Sequence, residues 1–145
     1  MKKIKFALLI YCLAGLMSAG YAQENTYKAL PDSFFTVMST KGTDAAIDYI
    51  FRTNKYLRLK LANNLKIKNE LKNVVKLLGQ YYETEFIKSE TLAPSYVKLF
   101  YLAKYDRQPL LFIFTMYKPE KHWRIQQLKF TEKVTDFLES RISDK

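Results

Sequence analysis

The sequence predicts an α+β fold in which N-terminal helices pack on a four-stranded antiparallel sheet and a short C-terminal helix follows. Over residues 31–78, apolar residues recur at the three- and four-residue spacing of amphipathic helices. Over residues 80–130, runs rich in aromatic and β-branched residues alternate with short polar turns. Because helices followed by a run of strands are typical of α+β domains, we expect the helices to gather on one face of the sheet.

Residues 1–22 have the pattern of a signal peptide. Lys2, Lys3 and Lys5 precede an apolar run over 6–17, and small residues lead up to Ala22. The apolar run is shorter than the roughly 20 residues that span a bilayer. We therefore expect cleavage after Ala22, export to the periplasm or secretion, and no transmembrane span in the mature chain. A retained N-terminal anchor is the alternative.

Residues 23–145 are then expected to form a single domain, which fits a chain of 145 residues. The one cysteine, Cys12, lies inside the leader. More apolar residues follow Cys12, which argues against lipidation at that position. The mature chain therefore has no thiol for a disulfide, although it is exported, and must be stabilised by an ordinary core.

Two short helices are predicted at the start of this domain. The first begins at Pro31 after a polar lead over 23–30, and a Lys-Gly pair ends it. The second is capped by Thr43 or Asp44 and ends at Asn54.

A longer helical segment is predicted over residues 55–78, with Gly79 as the residue that ends it. Its first half has an apolar stripe rotated from the stripe of its second half. The change of phase lies near Asn63-Asn64, so we expect a break or a bend at that pair.

Four strands are predicted to follow as an antiparallel meander. They cover 80–91, 95–105, 110–117 and a run that starts at Trp123. The third is apolar on both faces except for one threonine, which indicates a central strand covered on both sides.

The fourth strand contains a change of parity. Trp123 and Ile125 alternate in one phase, and Leu128 and Phe130 in the other. Since a slip of one residue reverses every side chain, we predict a β-bulge near Gln126-Gln127 that brings the four onto one face.

The last helix is predicted from a cap and an apolar stripe. Thr131 can cap it, and Glu132 lies near its positive end. The side chains expected on its buried side are Val134, Phe137, Leu138 and Ile142.

The chain is strongly basic. Its net charge of +10 falls to +7 when the three leader lysines are removed, which favours anionic partners but equally serves solubility. Lys68, Lys72 and Lys76 recur every four residues, so they line one helix face as candidate anion-binding residues. A solvated helix face explains them as well. Export argues against nucleic acid as the partner.

Several kinds of site are excluded or poorly supported. His122 is the only histidine and the mature chain lacks cysteine, which excludes a zinc site with nitrogen and sulfur ligands. Only Gly42 and Gly79 remain after cleavage, so no glycine-rich phosphate loop exists. We expect His122 to be a solvated turn residue. No catalytic residue, metal or cofactor is assigned.

Carboxylates are the remaining acid–base candidates. Glu83 and Glu85 share one face of the first strand, although alternation more often places such a pair on the wet side of an edge strand. Asp44, Asp48 and Asp106 are the others.

The aromatic strand residues have three interpretations. Candidate ligand-pocket residues are Tyr101, Tyr105, Phe112, Tyr117 and Trp123. These side chains fill a core, or they line a cavity between sheet and helices with hydroxyl groups as polar anchors. The apolar second face of the sheet is a candidate homodimer interface.

The order of elements resembles the NTF2-like superfamily, which is cystatin-like and cone-shaped, and more narrowly small exported bacterial proteins of unknown function with that fold. The matching segments are DAAIDYIFRTN at 44–54, LGQYYE at 78–83, YLAKYDRQPL at 101–110 and FxFxxYKPxxxW at 112–123. The resemblance implies a curved sheet around helices, often with a pocket and often a dimer. Its polyketide-cyclase and ketosteroid-isomerase-like enzymes place Asp, His or Tyr in that pocket. This chain offers no Asp/His pair in its strands, so no activity is carried over.

The leading hypothesis is a non-enzymatic exported domain that binds a small ligand or an envelope protein. A small hydrolase or isomerase is the first alternative, with a pocket carboxylate and Tyr101 or Tyr117. A basic surface module that binds anionic envelope polymers through Lys68, Lys72 and Lys76 is the second.

Overall fold

The structure is a computed structural model that describes residues 27–142, so the predicted signal peptide lies outside the described residues. Over residues 27–142, five helices and four strands follow one another in the α+β order that the sequence predicts. They are α1 (27–41), α2 (Thr43–Thr53), α3 (Lys55–Arg58), α4 (Leu61–Leu78), β1 (Tyr81–Ala93), β2 (Tyr96–Tyr105), β3 (Leu110–Tyr117), β4 (Arg124–Thr131) and α5 (Val134–Ile142). None of the helices within residues 27–142 is long and apolar enough to cross a membrane.

Helix α1 is longer than predicted. Residues 27–30, expected as a polar lead, are helical, and Tyr27 is buried with its ring centroid 5.2 Å from that of Trp123. Tyr27 lies seven residues before Phe34, which places both on one helix face. The sequence does not indicate this extension of α1, because Tyr27 is a single aromatic residue among polar neighbours.

Gly42 separates α1 from α2. Its φ of 86° lies in the region that favours glycine. Gly42 itself occupies the N-cap of α2 without a side-chain hydrogen bond, so the predicted cap by Thr43 or Asp44 is wrong. The predicted end at Asn54 is confirmed.

The predicted break in the long helical segment exists, but it lies at residues 59–60, between α3 and α4. Asn64 is buried, and its Nδ2 donates to the carbonyl oxygen of Leu57 at 3.1 Å. Asn64 thus reaches back across the break to an acceptor at the end of α3. The apolar stripe of the sequence changes phase at Asn64, which lies about one helical turn after the break between α3 and α4. Gly79 ends α4 with a φ of 84°, as the sequence indicates.

The sheet has the order β1-β2-β3-β4, and every pair is antiparallel. Strand β3 lies between two neighbours, which confirms it as a central strand. The edge strand β1 contains 13 residues and three register shifts against β2. Such irregularities make an edge strand a poor template for pairing with another chain.

The predicted bulge in β4 is confirmed. Thr115 pairs with Gln127, but Met116 pairs with Ile125, which leaves Gln126 as the extra residue. The four apolar side chains of this segment consequently reach the same core: Trp123 and Ile125 are buried in it, and Leu128 and Phe130 pack against it.

The helices lie on both faces of the sheet. Phe34 and Phe35 of α1 contact the rings of Phe112 and Phe114, which belong to one face. The ring of Phe137 in α5 lies 5.3 Å from that of Phe100, which points from the opposite face. The expectation that all helices share one face is therefore wrong for α5, because the apolar second face also needs cover.

Helix α5 agrees with the sequence only in part. The Thr131 hydroxyl accepts a hydrogen bond from the Lys133 amide at 3.1 Å, just before the helix begins. Leu138, expected on the buried side, is 56% exposed. The side chain of Ile142 lies outside the described residues. Helix α5 covers part of the face that the sequence suggests as a homodimer interface.

Candidate ligand-binding cavity

The five aromatic candidates do not gather around one space. Tyr101, Tyr105, Phe112 and Trp123 are buried on the face that carries α1. Tyr117 points from the other face, and its ring lies 6.3 Å from that of Tyr96. Four of the candidates therefore serve the core, and the fifth belongs to the opposite surface of the sheet.

Tyr101 is a core tyrosine with a polar partner. Its hydroxyl group donates a hydrogen bond to Asp32 Oδ1 at 3.3 Å. Burial, and secondly the neighbouring Asp32 carboxylate, raise the pKa of Tyr101 far above its ordinary value. Burial also raises the pKa of Tyr105, with a smaller contribution from Tyr81. Both phenols therefore stay neutral at physiological pH, and that of Tyr101 acts as a hydrogen-bond donor.

The carboxylates that the enzyme alternative would use lie in water. Glu83 and Glu85 are both exposed, and both form ion pairs with Lys104, at 2.9 Å in the case of Glu85. These pairs raise the pKa of Lys104. A catalytic carboxyl group usually has an apolar surrounding that adjusts its pKa, and neither glutamate has one. Among residues 27–142, no group of three metal-ligating side chains comes together.

The lysine stripe is largely engaged by α2. Lys68 Nζ lies 2.6 Å from Asp48 Oδ1, and Lys72 Nζ lies 3.3 Å from Asp44 Oδ2. These two ion pairs connect α4 to α2. Lys76, in the last turn of α4, is exposed and has no carboxylate partner among the described residues. Two of the three candidate anion-binding residues thus face acids of the same domain.

A cavity of about 450 Å³ lies between the helices and β4. It is bounded by the break between α3 and α4 on one side and by the bulge of β4 on the other. Its apolar lining residues are Ile47, Ile50, Phe51, Leu57, Ile67 and Leu128, and its polar ones are Lys60, Asn63, Asn64, Tyr96, Gln126 and Gln127. Two irregularities of the backbone therefore face each other across one space.

Four of the polar residues of the cavity are exposed and form its rim. Asn64 is buried and bonded to Leu57, whereas Lys60, Asn63, Gln126 and Gln127 are exposed. Within residues 27–142, the side chains of those four make no hydrogen bond or ion pair. Among residues 27–142, no carboxylate lines the cavity, and Lys60 is the only charged residue in its lining. An apolar floor below amide groups and one cation is suited to a ligand with an apolar body and an anionic head.

No family model, curated protein or solved structure matches the chain.

The sequence does not predict this cavity, although it predicts an irregular backbone on two sides of it. The phase change at Asn63-Asn64 and the parity change at Gln126-Gln127 marked two irregular places. Neither pattern says that the two places lie opposite each other, because that depends on how α4 crosses the sheet. Lys60 carried no signal, since it was one of many lysines.

Proposed function

We propose that the protein is a non-enzymatic, exported binding domain that holds a small amphiphile with an anionic head group. The cavity between the α3–α4 break and the β4 bulge is the proposed site. The observation that carries the proposal is an open space of about 450 Å³ with apolar walls and Lys60 as its only charged lining residue. Ligand sites in proteins commonly have this size and this mixture of apolar walls and few polar groups.

The position of the polar side chains favours a ligand site over a packing defect. Empty cavities in proteins are apolar, and buried polar groups around a void are normally bonded to one another or to water. Here Lys60, Gln126 and Gln127 stand at the rim, while Ile50 and Phe51 are buried below them. An extended apolar chain would displace water from the floor, and its head group would remain at the rim beside the Lys60 ammonium.

The order of elements supports, as part of the same proposal, membership of the NTF2-like superfamily. Helices precede an antiparallel meander, and the cavity lies between the helices and the last strand. Export is supported by the leader pattern over residues 1–22. A soluble carrier or sensor of envelope amphiphiles is the role that combines these features.

Decanoate and decanol are the matched probes, since they share a chain and differ in head-group charge. Isothermal titration calorimetry of the full mature protein should show saturable one-to-one binding of decanoate. The Lys60→Gln variant should weaken decanoate binding about tenfold, or about 1.4 kcal/mol, and leave decanol binding unchanged. The Ile67→Phe variant, which adds volume at the wall, should weaken both.

Lys76→Gln is the control, because it removes one charge from α4 away from the cavity. It should leave both affinities unchanged. Absence of saturable binding by either amphiphile would refute the proposal. Equal effects of Lys60→Gln and Lys76→Gln would show that the decanoate is held by overall charge and not by the rim.

A further inference from the structure

We propose that the protein has a second site, separate from the cavity, which binds a phosphate monoester around Arg124. The site is a hollow of about 380 Å³ between the α2–α3 junction and the segment that leads into β4. Its lining includes Lys55, Tyr56, Lys121, His122, Trp123 and Arg124, and we refer to it as the basic cleft. This inference does not depend on the function proposed for the cavity, which has different lining residues.

Arg124 is held between two aromatic rings. Its guanidinium carbon lies 5.1 Å from the ring centroid of Tyr56 and 5.4 Å from that of Tyr117. Such contacts fix the plane of an arginine and leave the edge with its N–H groups available for a ligand. Tyr56 and Tyr117 are therefore positioning residues, because they orient Arg124 for whatever it binds.

Arg124 also carries a hydrogen-bond donor that the described chain does not satisfy. Its Nε is buried, and no acceptor within residues 27–142 reaches it. A buried donor without an acceptor costs about 1–3 kcal/mol, so such a group calls for an explanation, and a bound anion that supplies the acceptor is one.

The charges around the cleft are strongly unbalanced. Lys55, Lys121 and Arg124 line it together with His122, and Glu120 is the only acid among the lining residues. Neither Lys55 nor Lys121 forms an ion pair within the part of the chain that the structure describes. The residues come from two segments more than sixty positions apart, so the fold itself concentrates this charge.

These features fit a phosphate monoester better than a carboxylate. An arginine edge presents two parallel N–H groups, which match two oxygens of a phosphate. The monoester carries close to two negative charges at neutral pH, and two lysines are available for the remaining oxygens. Tyr56, which is 55% exposed, offers a ring on which the esterified group can stack.

Phenyl phosphate and benzoate are suitable probes, because they differ in their acidic group and share a ring. Trp123 lines the cleft and is the only tryptophan of the chain, so its fluorescence reports binding directly. Phenyl phosphate should bind at least tenfold more tightly than benzoate. Arg124→Lys should lose most of that preference although the charge is kept, since lysine lacks the paired N–H groups.

Lys121→Gln is a second variant in case Arg124→Lys folds poorly. Lys121 lies in an exposed loop, so its replacement should not disturb the fold. This variant should weaken the binding of phenyl phosphate several-fold. Lys129→Gln removes a charge from an exposed position of β4 outside the cleft and should have no effect. Lys60→Gln should also leave this affinity unchanged, which separates failure of this proposal from failure of the amphiphile site.

A second experiment distinguishes a lipid head group from a soluble phosphate monoester. Vesicles of phosphatidylcholine with and without phosphatidic acid can be pelleted with the protein. Retention that requires phosphatidic acid and Arg124 would assign the site to a lipid head group, whereas binding of phenyl phosphate alone would assign it to a soluble monoester. Failure of phenyl phosphate to bind, or equal binding of benzoate, would overturn the proposal.

Discussion

Asn54 joins the helices to the sheet through a hydrogen bond from its Nδ2 to the carbonyl oxygen of Ile125, at 3.0 Å. The other end of the same amide, Oδ1, accepts from the Tyr56 amide at 3.1 Å and caps α3. Ile125 directly precedes the bulge residue Gln126. Along β4, the residues up to Arg124 line the basic cleft and those from Gln126 onward line the cavity. Around Asn54, its near neighbours line the cleft, whereas Phe51 and Leu57, three residues away on either side, line the cavity. One side chain thus holds the wall between the two hollows.

Replacing Asn54 by alanine should lower the free energy of unfolding by about 2–3 kcal/mol, because it removes a helix cap and leaves a buried carbonyl group without a donor. Asn54→Asp should be at least as harmful, since it keeps the cap acceptor but places a carboxylate against the carbonyl oxygen of Ile125. Urea unfolding followed by Trp123 fluorescence measures both. Asn73→Ala, on the exposed side of α4, is the control and should change little. A loss below 0.5 kcal/mol in Asn54→Ala would contradict this role.

Deleting Gln126 should destabilise the protein far more than mutating it. Without the extra residue, regular pairing of β4 would turn Trp123 and Ile125 away from the core that Leu128 and Phe130 contact. Exposing two such side chains should cost more than about 3 kcal/mol. The fluorescence of Trp123 should shift to the red in the deletion variant. Gln126→Ala keeps the register and should stay within about 0.5 kcal/mol of the parent. A deletion variant with unshifted fluorescence would show that the bulge is dispensable.

The sequence is most informative where several neighbouring residues report the same feature. The bulge at Gln126 could be predicted because four apolar residues within one strand report their parity directly. The predicted break near Asn63-Asn64 differs from the observed one at residues 59–60. The rotated apolar stripe shows where the buried helix face changes direction, and not where the helical backbone hydrogen bonds end. Asn64, one turn beyond the break, bonds back to Leu57 and so belongs to both.

Features that depend on distant contacts could not be predicted in this way. The stripe on α5 indicates a buried side, but it does not say which face of the sheet Phe137 covers. Tyr117 is an exception, because it lies five residues after Phe112 in β3 and strand alternation alone places the two side chains on opposite faces. The cavity and the basic cleft both combine residues near position 55 with residues near position 125. No local sequence pattern indicates that these two segments lie side by side.

Alkaline pH should destabilise the fold through its buried tyrosines. Tyr101 and Tyr105 have pKa values raised above the ordinary value of 10.0 by burial. Their contribution is complete below pH 10 and is lost as the pH rises further, because the unfolded chain then releases protons that the folded chain retains. The loss is at most about 1.4 kcal/mol per pH unit for each group.

Urea unfolding between pH 8 and pH 11, with tyrosinate absorbance recorded in parallel, measures this effect. Tyr101→Phe should flatten the fall in stability above pH 10, and the double variant with Tyr105→Phe should flatten it further. The absorbance of the core tyrosines should rise only as the protein unfolds. Equal slopes in the parent and in both variants would mean that these two phenols ionise freely in the folded state.

The ion pair between Lys68 and Asp48 should stabilise the packing of α4 on α2 by a small, salt-sensitive amount. Its atoms lie 2.6 Å apart, but Asp48 is half exposed, so solvent screens much of the attraction. A double-mutant cycle with Lys68→Ala and Asp48→Ala should give a coupling free energy of about 0.5–1 kcal/mol at low ionic strength. Added salt should reduce it, since exposed charges are screened within about 10 Å at 0.1 M. The same cycle with Lys76 in place of Lys68 should give no coupling. A salt-independent coupling would mean that the alkyl chain of Lys68, and not its charge, makes the contact.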